Sequence, residues 1–290
     1  MAEKGLIAVQ MMMLKEKVKE DGAYETLKKL SEMGYHAVEV SQIPMTEENV
    51  REIKRACDDF NMKVVAFSAA LEGEGKENLT DDFDKIVRDC KTLDCNFLRI
   101  GMLPPECMAS KESAMAFIER MEEKAKALAE HGIELYYHNH HIEFAKYDGK
   151  YLLDLIRDHT EYIGFEIDVH WVQRGGEDPL KVIKDYAGRI KLLHLKDYRI
   201  AQIKLPEYKE DDDPAAASAK WSHAFLGTIQ FAEVGEGNLD FSKIIPAGLE
   251  AGSKYFIVEQ DDTYGRDVYD ALALSRDNLI KLGYEDWFKF

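Results

Sequence analysis

The sequence predicts an α/β fold, a single (β/α)8 TIM barrel spanning residues 1–290 with a long loop after its seventh strand. Eight short apolar runs alternate with longer amphipathic stretches from one end of the chain to the other. The runs are rich in Val, Ile, Leu, Phe and Tyr, as strands buried on both faces are. Strands alternating with helices give a parallel sheet, and eight strands are the number that closes it. An open doubly wound sheet is the alternative, but its dinucleotide site needs a Gly-rich turn after the first strand. Met12-Met13-Leu14-Lys15 stands there instead.

The strand candidates are residues 6–12, 37–40, 63–67, 97–101, 133–137, 163–167, 190–195 and 255–259. After the first, Leu27, Leu30 and Met33 share one face of a helix in residues 24–33. Thr46 caps the next helix, and Glu47 and Glu48 in its first turn suit the positive end of the helix dipole. The same period runs through 80–93, 111–131 and 269–282, while Asp178-Pro179 sets an N-cap ahead of a proline at the first helical position. Gly34, Gly132 and Gly252 fall where helices stop before a strand. Residues 199–236 break the rhythm, being too long for an ordinary βα loop. They hold a polar run at 209–213 and a small-residue stretch at 214–219, and lead to a helix near Phe241. In a barrel such a loop rises over the active-site face, where it reads as a lid, as a contact within a homo-oligomer, or as a solvated excursion.

Composition bounds the partners. Apolar residues at 46% supply a large core, and 38 basic against 55 acidic residues give a formal charge of −17. That field repels nucleic acid and anionic membranes. Cys57, Cys90, Cys95 and Cys107 form no Cys-x-x-Cys pair and are too few for a disulfide scaffold, so reduced, buried thiols are expected. Residues 6–14 are apolar but short, without a small-residue cleavage site, and run into Lys15-Glu16-Lys17. With no apolar run near the roughly 20 residues that span a bilayer, a cytoplasmic protein is expected.

Ionisable residues gather where the later strands end: Tyr137-His138-Asn139-His140-His141 with Glu143 beyond, Asp168-Val169-His170-Trp171, His194-Leu195-Lys196-Asp197, and Glu259-Gln260-Asp261-Asp262. In a parallel barrel these ends meet at one rim. Singly, a histidine there is an ordinary polar residue and an acid is a helix cap. Four consecutive strands each ending in a metal-ligating side chain point instead to a divalent metal, with imidazole and carboxylate suiting Mn, Co, Fe, Zn or Mg.

On these residues the chain resembles the sugar phosphate isomerase/epimerase family with the xylose-isomerase-like barrel, which includes inosose dehydratases, hydroxypyruvate isomerases, ketose 3-epimerases and an endonuclease acting at abasic sites. The resemblance rests on Tyr-His-Asn-His at 137–140 with Glu143-Phe144, Ile-Asp-Val-His-Trp at 167–171, His-Leu-Lys-Asp at 194–197, Val-Gly-Glu-Gly-Asn-Leu-Asp-Phe at 234–241 and Val-Glu-Gln-Asp at 258–261. It implies metal ligands at Asp168, His194 and Glu259. Where the family places a Glu after strand five this chain has His138, which takes that corner or leaves it to His140 or Glu143. Many members of the family have a His three residues after the Asp of strand six; here that position is Trp171, with His170 one place earlier.

The resemblance further implies a sugar, sugar phosphate or cyclitol substrate whose carbonyl and neighbouring hydroxyl are chelated, and proton removal beside the carbonyl through an enediolate. Glu259 and His140 are the candidate bases, and Lys196 the candidate oxyanion stabiliser. Arg99 and Arg266 are candidates for a distal hydroxyl or phosphate, set against plain ion pairing. His170, Trp171 and Glu143 complete the expected substrate contacts, with Tyr136 and Tyr137 set down as buried packing. Reprotonation gives an isomerase or epimerase; loss of a β-hydroxyl or β-glycosyloxy group gives a dehydratase or lyase. A barrel that only binds sugar is the remaining alternative.

Overall fold

The computed structural model describes residues 4–73, 77–209 and 213–290. Eight strands pair in parallel: β1 (Leu6–Gln10), β2 (Ala37–Val40), β3 (Lys63–Ser68), β4 (Phe97–Ile100), β5 (Glu134–His138), β6 (Ile163–Asp168), β7 (Ile190–Leu195) and β8 (Tyr255–Val258). They close into a barrel in the order β1-β8-β7-β6-β5-β4-β3-β2, with the long helices outside. The first strand is two residues shorter than the apolar run suggests. The Gln10 side-chain carbonyl accepts the Met12 N–H at 2.8 Å and bends the chain into a 3-10 turn, Met11–Leu14. The fifth and sixth strands each run one residue further than expected, so His138 and Asp168 are their last residues.

The helix caps behave as the sequence indicates. Thr46 accepts the Asn49 N–H at 3.2 Å ahead of helix Glu47–Phe60, and Asp178 accepts the Leu180 N–H at 2.9 Å ahead of helix Pro179–Asp185. The helix expected over 80–93 starts later, at Phe83. The Asn78 side chain takes the N–H groups of Thr80 and Asp81 at 3.0 and 2.9 Å and holds these residues in a turn.

Side chains alternate between the faces of a strand, so every second residue looks into the barrel. Leu6, Ala8, Ala37, Tyr136, Leu192 and Ile257 form an apolar plug there, separate from the larger core between sheet and helices. Gly164 makes room for it: a Cβ at that position would lie 2.3 Å from the Tyr136 ring. Two residues further along these strands the interior turns from apolar to charged, with Glu39, Arg99, Glu166 and His194 all buried.

The expected excursion after β7 has structure of its own. Strand Asp197–Ile200 pairs antiparallel with Ile229–Ala232, and helix Pro214–Leu226 lies between them. That helix buries none of its residues, and Trp221, Phe225 and Leu226 are exposed. Of the polar run at 209–213, residues 210–212 lie outside the described residues. Among the described residues no helix is long and apolar enough to cross a membrane. The four cysteines are unpaired, three of them buried.

Candidate functional site

The ends of β5, β6, β7 and β8 bring His138, Asp168, His194 and Glu259 together, each buried, with one ligand atom from each lying within 4.8 Å of the others. Local structure aims them. Asn139 ties the ends of β5 and β6, its side-chain oxygen accepting the Asp168 N–H at 3.0 Å. Asp168 caps the following helix, its Oδ1 accepting the Trp171 N–H at 3.0 Å, while Oδ2 is buried without a hydrogen-bond partner. His194 Nδ1 contacts Glu259 Oε2 and lies 3.7 Å from Asp168 Oδ2; His138 Nε2 lies 3.9 Å from the same Asp168 oxygen. Of His138, His140 and Glu143, which the sequence left open for the fourth corner, His138 is the one whose ligand atom lies within this group.

Beneath this group lies a buried ion cluster of strand-interior residues. Arg99 Nε on β4 meets Glu39 Oε1 on β2 at 2.7 Å and Glu166 Oε2 on β6 at 3.1 Å, and its Nη2 donates to Ser41 Oγ at 3.1 Å. The strand registers shift beside both carboxylates, between Val38 and Glu39 and between Phe165 and Glu166. Such bulges re-aim side chains.

The electrostatics follow from this crowding. Burial disfavours a charged His194, but the carboxylates of Glu166, Glu259 and Glu39 outweigh it and raise the imidazole well above its ordinary pKa. His138 goes the other way, held well below the usual range by burial and then by the positive charges of His194 and Arg99. Burial and the Glu39 charge push Glu166 up to about 8. Burial opposes ionisation of Glu259 as well, yet Lys196 and His194 lower it. In the metal-free protein, a proton on His194 thus sits where the surrounding carboxylates call for a cation.

Lys196 is the buried cation of the rim. Its Nζ meets Asp261 at 2.6 Å and lies 3.5 Å from Glu259 and 3.7 Å from Asp168, over the rings of Trp171 and Phe231 at 5.0 and 5.2 Å. Coulombic attraction to those acids outweighs burial, the largest effect, and raises its pKa. His140 packs on His138 with ring centroids 4.9 Å apart and on Trp171 at 5.3 Å, and burial lowers its pKa to about 4. Its ring is therefore neutral near pH 7, with Nδ1 unpartnered.

Several expected substrate contacts have other places. Glu143 is fully buried and accepts from Tyr137 Oη and the His140 N–H, both at 2.7 Å. It braces the loop that carries His140 rather than facing the rim. Arg99 belongs to the ion cluster under the ligand group, where its guanidinium supplies positive charge to two buried carboxylates. Arg266, half-exposed, pairs through Nε with Glu233 at 2.9 Å. His170 donates its Nδ1–H to the Asp197 carbonyl at 2.8 Å and stacks on Phe231 at 4.4 Å, so it builds the wall of the site. Trp171 stays at the rim, between His141 at 5.2 Å and Phe231 at 5.7 Å. Tyr136 and Tyr137 are packing residues.

Glu39, Glu166 and Phe231 did not emerge from the sequence reading. Phe231 arrives only because the hairpin folds back over the rim. The two acids had a signal: each interrupts an apolar strand, Ala-Val-Glu-Val and Phe-Glu-Ile-Asp, as Arg99 interrupts Phe-Leu-Arg-Ile. Three charges inside buried strands must compensate one another.

The Val-Gly-Glu-Gly-Asn-Leu motif also gains a physical role. Asp197 is buried and accepts the N–H groups of Tyr198, Gly235, Gly237 and Leu239 at 2.7, 2.9, 2.8 and 3.2 Å. A Cβ on Gly237 would lie 2.3 Å from Asp197 Oδ1, so only glycine admits this approach.

The sequence model of the xylose isomerase-like TIM barrel matches residues 27–281. An inosose dehydratase from Clostridium perfringens is 34% identical over 128 residues, covering 42% of this chain and 38% of that protein. The chain thus matches well under half the length of that curated relative. Among solved structures, a sugar phosphate isomerase/epimerase from Parabacteroides distasonis superposes with a TM-score of 0.71 at 20% identity, covering 96% of this chain and 98% of that one. A probable 3-DHS dehydratase involved in petrobactin synthesis from Bacillus anthracis gives 0.64 at 14% identity, covering 95% and 98%.

Proposed function

This chain belongs to the xylose isomerase-like TIM-barrel family, and on that premise we propose that it is a divalent-metal-dependent isomerase or epimerase of a sugar, sugar phosphate or cyclitol. The observation that carries the proposal is the convergence of His138, Asp168, His194 and Glu259 within 4.8 Å, with Asp168 Oδ2 buried and unpartnered. Two imidazoles and two carboxylates are a donor set for Mn²⁺, Co²⁺, Fe²⁺, Zn²⁺ or Mg²⁺. A divalent ion held by these four residues supplies Lewis-acid stabilisation of charge developing on a carbonyl oxygen and its neighbouring hydroxyl.

The remaining side chains divide the work of moving a proton beside that carbonyl. His140, neutral at pH 7 with Nδ1 unpartnered, is the base that accepts it, and Glu259 is the alternative from the opposite strand end. Glu143 holds His140 through its backbone N–H. Lys196, kept charged by Asp261 and Glu259, places positive charge where an enediolate gathers its negative charge. Trp171 offers a flat apolar face for a sugar ring, and Phe231, set nearly perpendicular to it, helps keep water from the reacting carbon.

A dehydratase or lyase is the second reading, favoured by the similarity to inosose dehydratase. It shares the proton abstraction and differs in expelling a β-substituent. The test is a screen of the metal-loaded protein on keto-inositols, ketoses, ketose phosphates and 3-keto-glycosides in D₂O. Solvent deuterium beside the carbonyl in an isomerised product supports the first reading, and deuterium with loss of water or an alcohol supports the second. Absence of bound metal together with sugar binding and no turnover would leave a binding barrel.

A further inference from the structure

Three nitrogens converge on one oxygen under the ligand group. Glu166 Oε2 lies 3.0 Å from His138 Nδ1, 3.2 Å from His194 Nε2 and 3.1 Å from Arg99 Nε. Each histidine meets this oxygen with the ring nitrogen turned away from the other ligands. On the far side of the rings, His138 Nε2 and His194 Nδ1 look toward Asp168 Oδ2 at 3.9 and 3.7 Å, and His194 Nδ1 also contacts Glu259. The two imidazoles therefore present different nitrogens upward. A neutral imidazole carries one N–H and one lone pair, and the partner of the N–H decides which nitrogen is which.

We infer that Glu166 is the positioning residue that fixes Nδ1–H in His138 and Nε2–H in His194, and so leaves His138 Nε2 and His194 Nδ1 as the nitrogens that would face a bound cation beside Asp168 and Glu259. Two geometric facts place Glu166 in this role and not Glu39, the other carboxylate beneath the site. Glu39 approaches only His194, at 3.4 Å, and no contact joins it to His138. Arg99 spans both acids, so its guanidinium orients the Glu166 carboxylate while leaving Oε2 within reach of the rings. A carboxylate that accepts from a metal-ligating imidazole fixes the ring and raises its basicity, and losing such a partner typically costs about 10–100-fold in metal affinity. Here one carboxylate serves two ligands, so its loss acts on both.

The inference rests on the metal reading for its purpose, but its geometry is testable without metal. Histidine-labelled protein is examined by long-range ¹H–¹⁵N correlation spectra, metal-free and after loading with Zn²⁺, and Zn²⁺ affinity is measured by calorimetry. Wild type is expected to show Nδ1–H in His138 in both forms and Nε2–H in His194 when loaded. Glu166→Gln, which keeps an acceptor oxygen, is expected to lose about 10-fold in Zn²⁺ affinity. Glu166→Met is expected to lose about 100-fold and to let Nε2–H appear in His138. Glu39→Gln, which removes a charge of the same cluster, is expected to leave the His138 signals in place. The Glu39 variant separates orientation from general damage to the cluster. The inference is overturned if wild-type His138 carries Nε2–H, a result that needs no variant to fold. Unchanged His138 signals and affinity in Glu166→Met would overturn it equally. If wild type binds no Zn²⁺, the metal reading falls, and the metal-free His138 signals still decide the role of Glu166.

Discussion

The two halves of the barrel rim differ in kind. The strands β5 to β8 end in His138, Asp168, His194 and Glu259, four buried groups that can share a proton or a metal. The strands β1 to β4 end near Gln10, Ser41, Ser68 and Gly101, small or neutral residues. The first half does not lack charge; it keeps its charge lower, in Glu39 and Arg99, and points it across the barrel at Glu166 and His194. One half thus carries the groups proposed to meet a ligand, and the other supplies counter-charge to the buried ions among them. Without that counter-charge each buried ion would cost several kcal/mol.

The division can be broken where it is strongest. Arg99→Met removes the guanidinium that joins Glu39 and Glu166 and is expected to lower unfolding free energy by about 3–5 kcal/mol, read from denaturant melts. A loss below about 1 kcal/mol would mean that the two halves are not electrostatically joined. Asp168→Asn strikes the other half. Its Zn²⁺ or Mn²⁺ affinity and its turnover should each fall by more than about 100-fold, beyond what partners one step removed from a metal contribute. The protein should still fold, because the side-chain oxygen retained in Asn can still cap the helix. Adding Mn²⁺ at about 100 times its dissociation constant is expected to stabilise the native protein by about 2.7 kcal/mol, reversed by chelation. Loss of that increment in His138→Ala, measured at the same Mn²⁺ concentration, would fix the fourth corner. Ser68→Ala removes an oxygen that has no partner at the quiet end of β3. It should change stability by less than about 0.5 kcal/mol and leave turnover alone. A larger effect on turnover would extend the site to the first four strands.

The legible parts of the molecule were those governed by local patterns. The eight strands, the caps at Thr46 and Asp178 and the glycines after helices follow from periodicity and backbone preference, and the structure departs from them by a residue or two. Gln10 is instructive, since an apolar run continued through residue 12 while a single side-chain hydrogen bond ended the strand. The rim residues were legible because strand ends can be counted. Their orientation was not. Glu143 and Arg99 have the chemistry of substrate contacts, and only the fold shows that one braces a loop and the other an ion cluster. Which face of a strand a charge occupies depends on register, and a shift beside Glu39 or Glu166 is invisible in composition. Phe231 lies beyond any local rule, because a hairpin of long sequence separation delivers it.

The Asp197 clamp has a consequence for how such a barrel diversifies. The excursion leaves β7 at this carboxylate and returns to it, through Gly235, Gly237 and Leu239, before helix Phe241–Glu250 begins. A detour whose departure and arrival are fastened to one side chain is an exchangeable cassette. Each doubling of its length adds only about 0.6 kcal/mol of closure entropy, and the strands beneath see the same two anchor points. Descendants can rewrite the stretch between the anchors, and with it what the rim admits, while inheriting the four inward-facing groups unchanged.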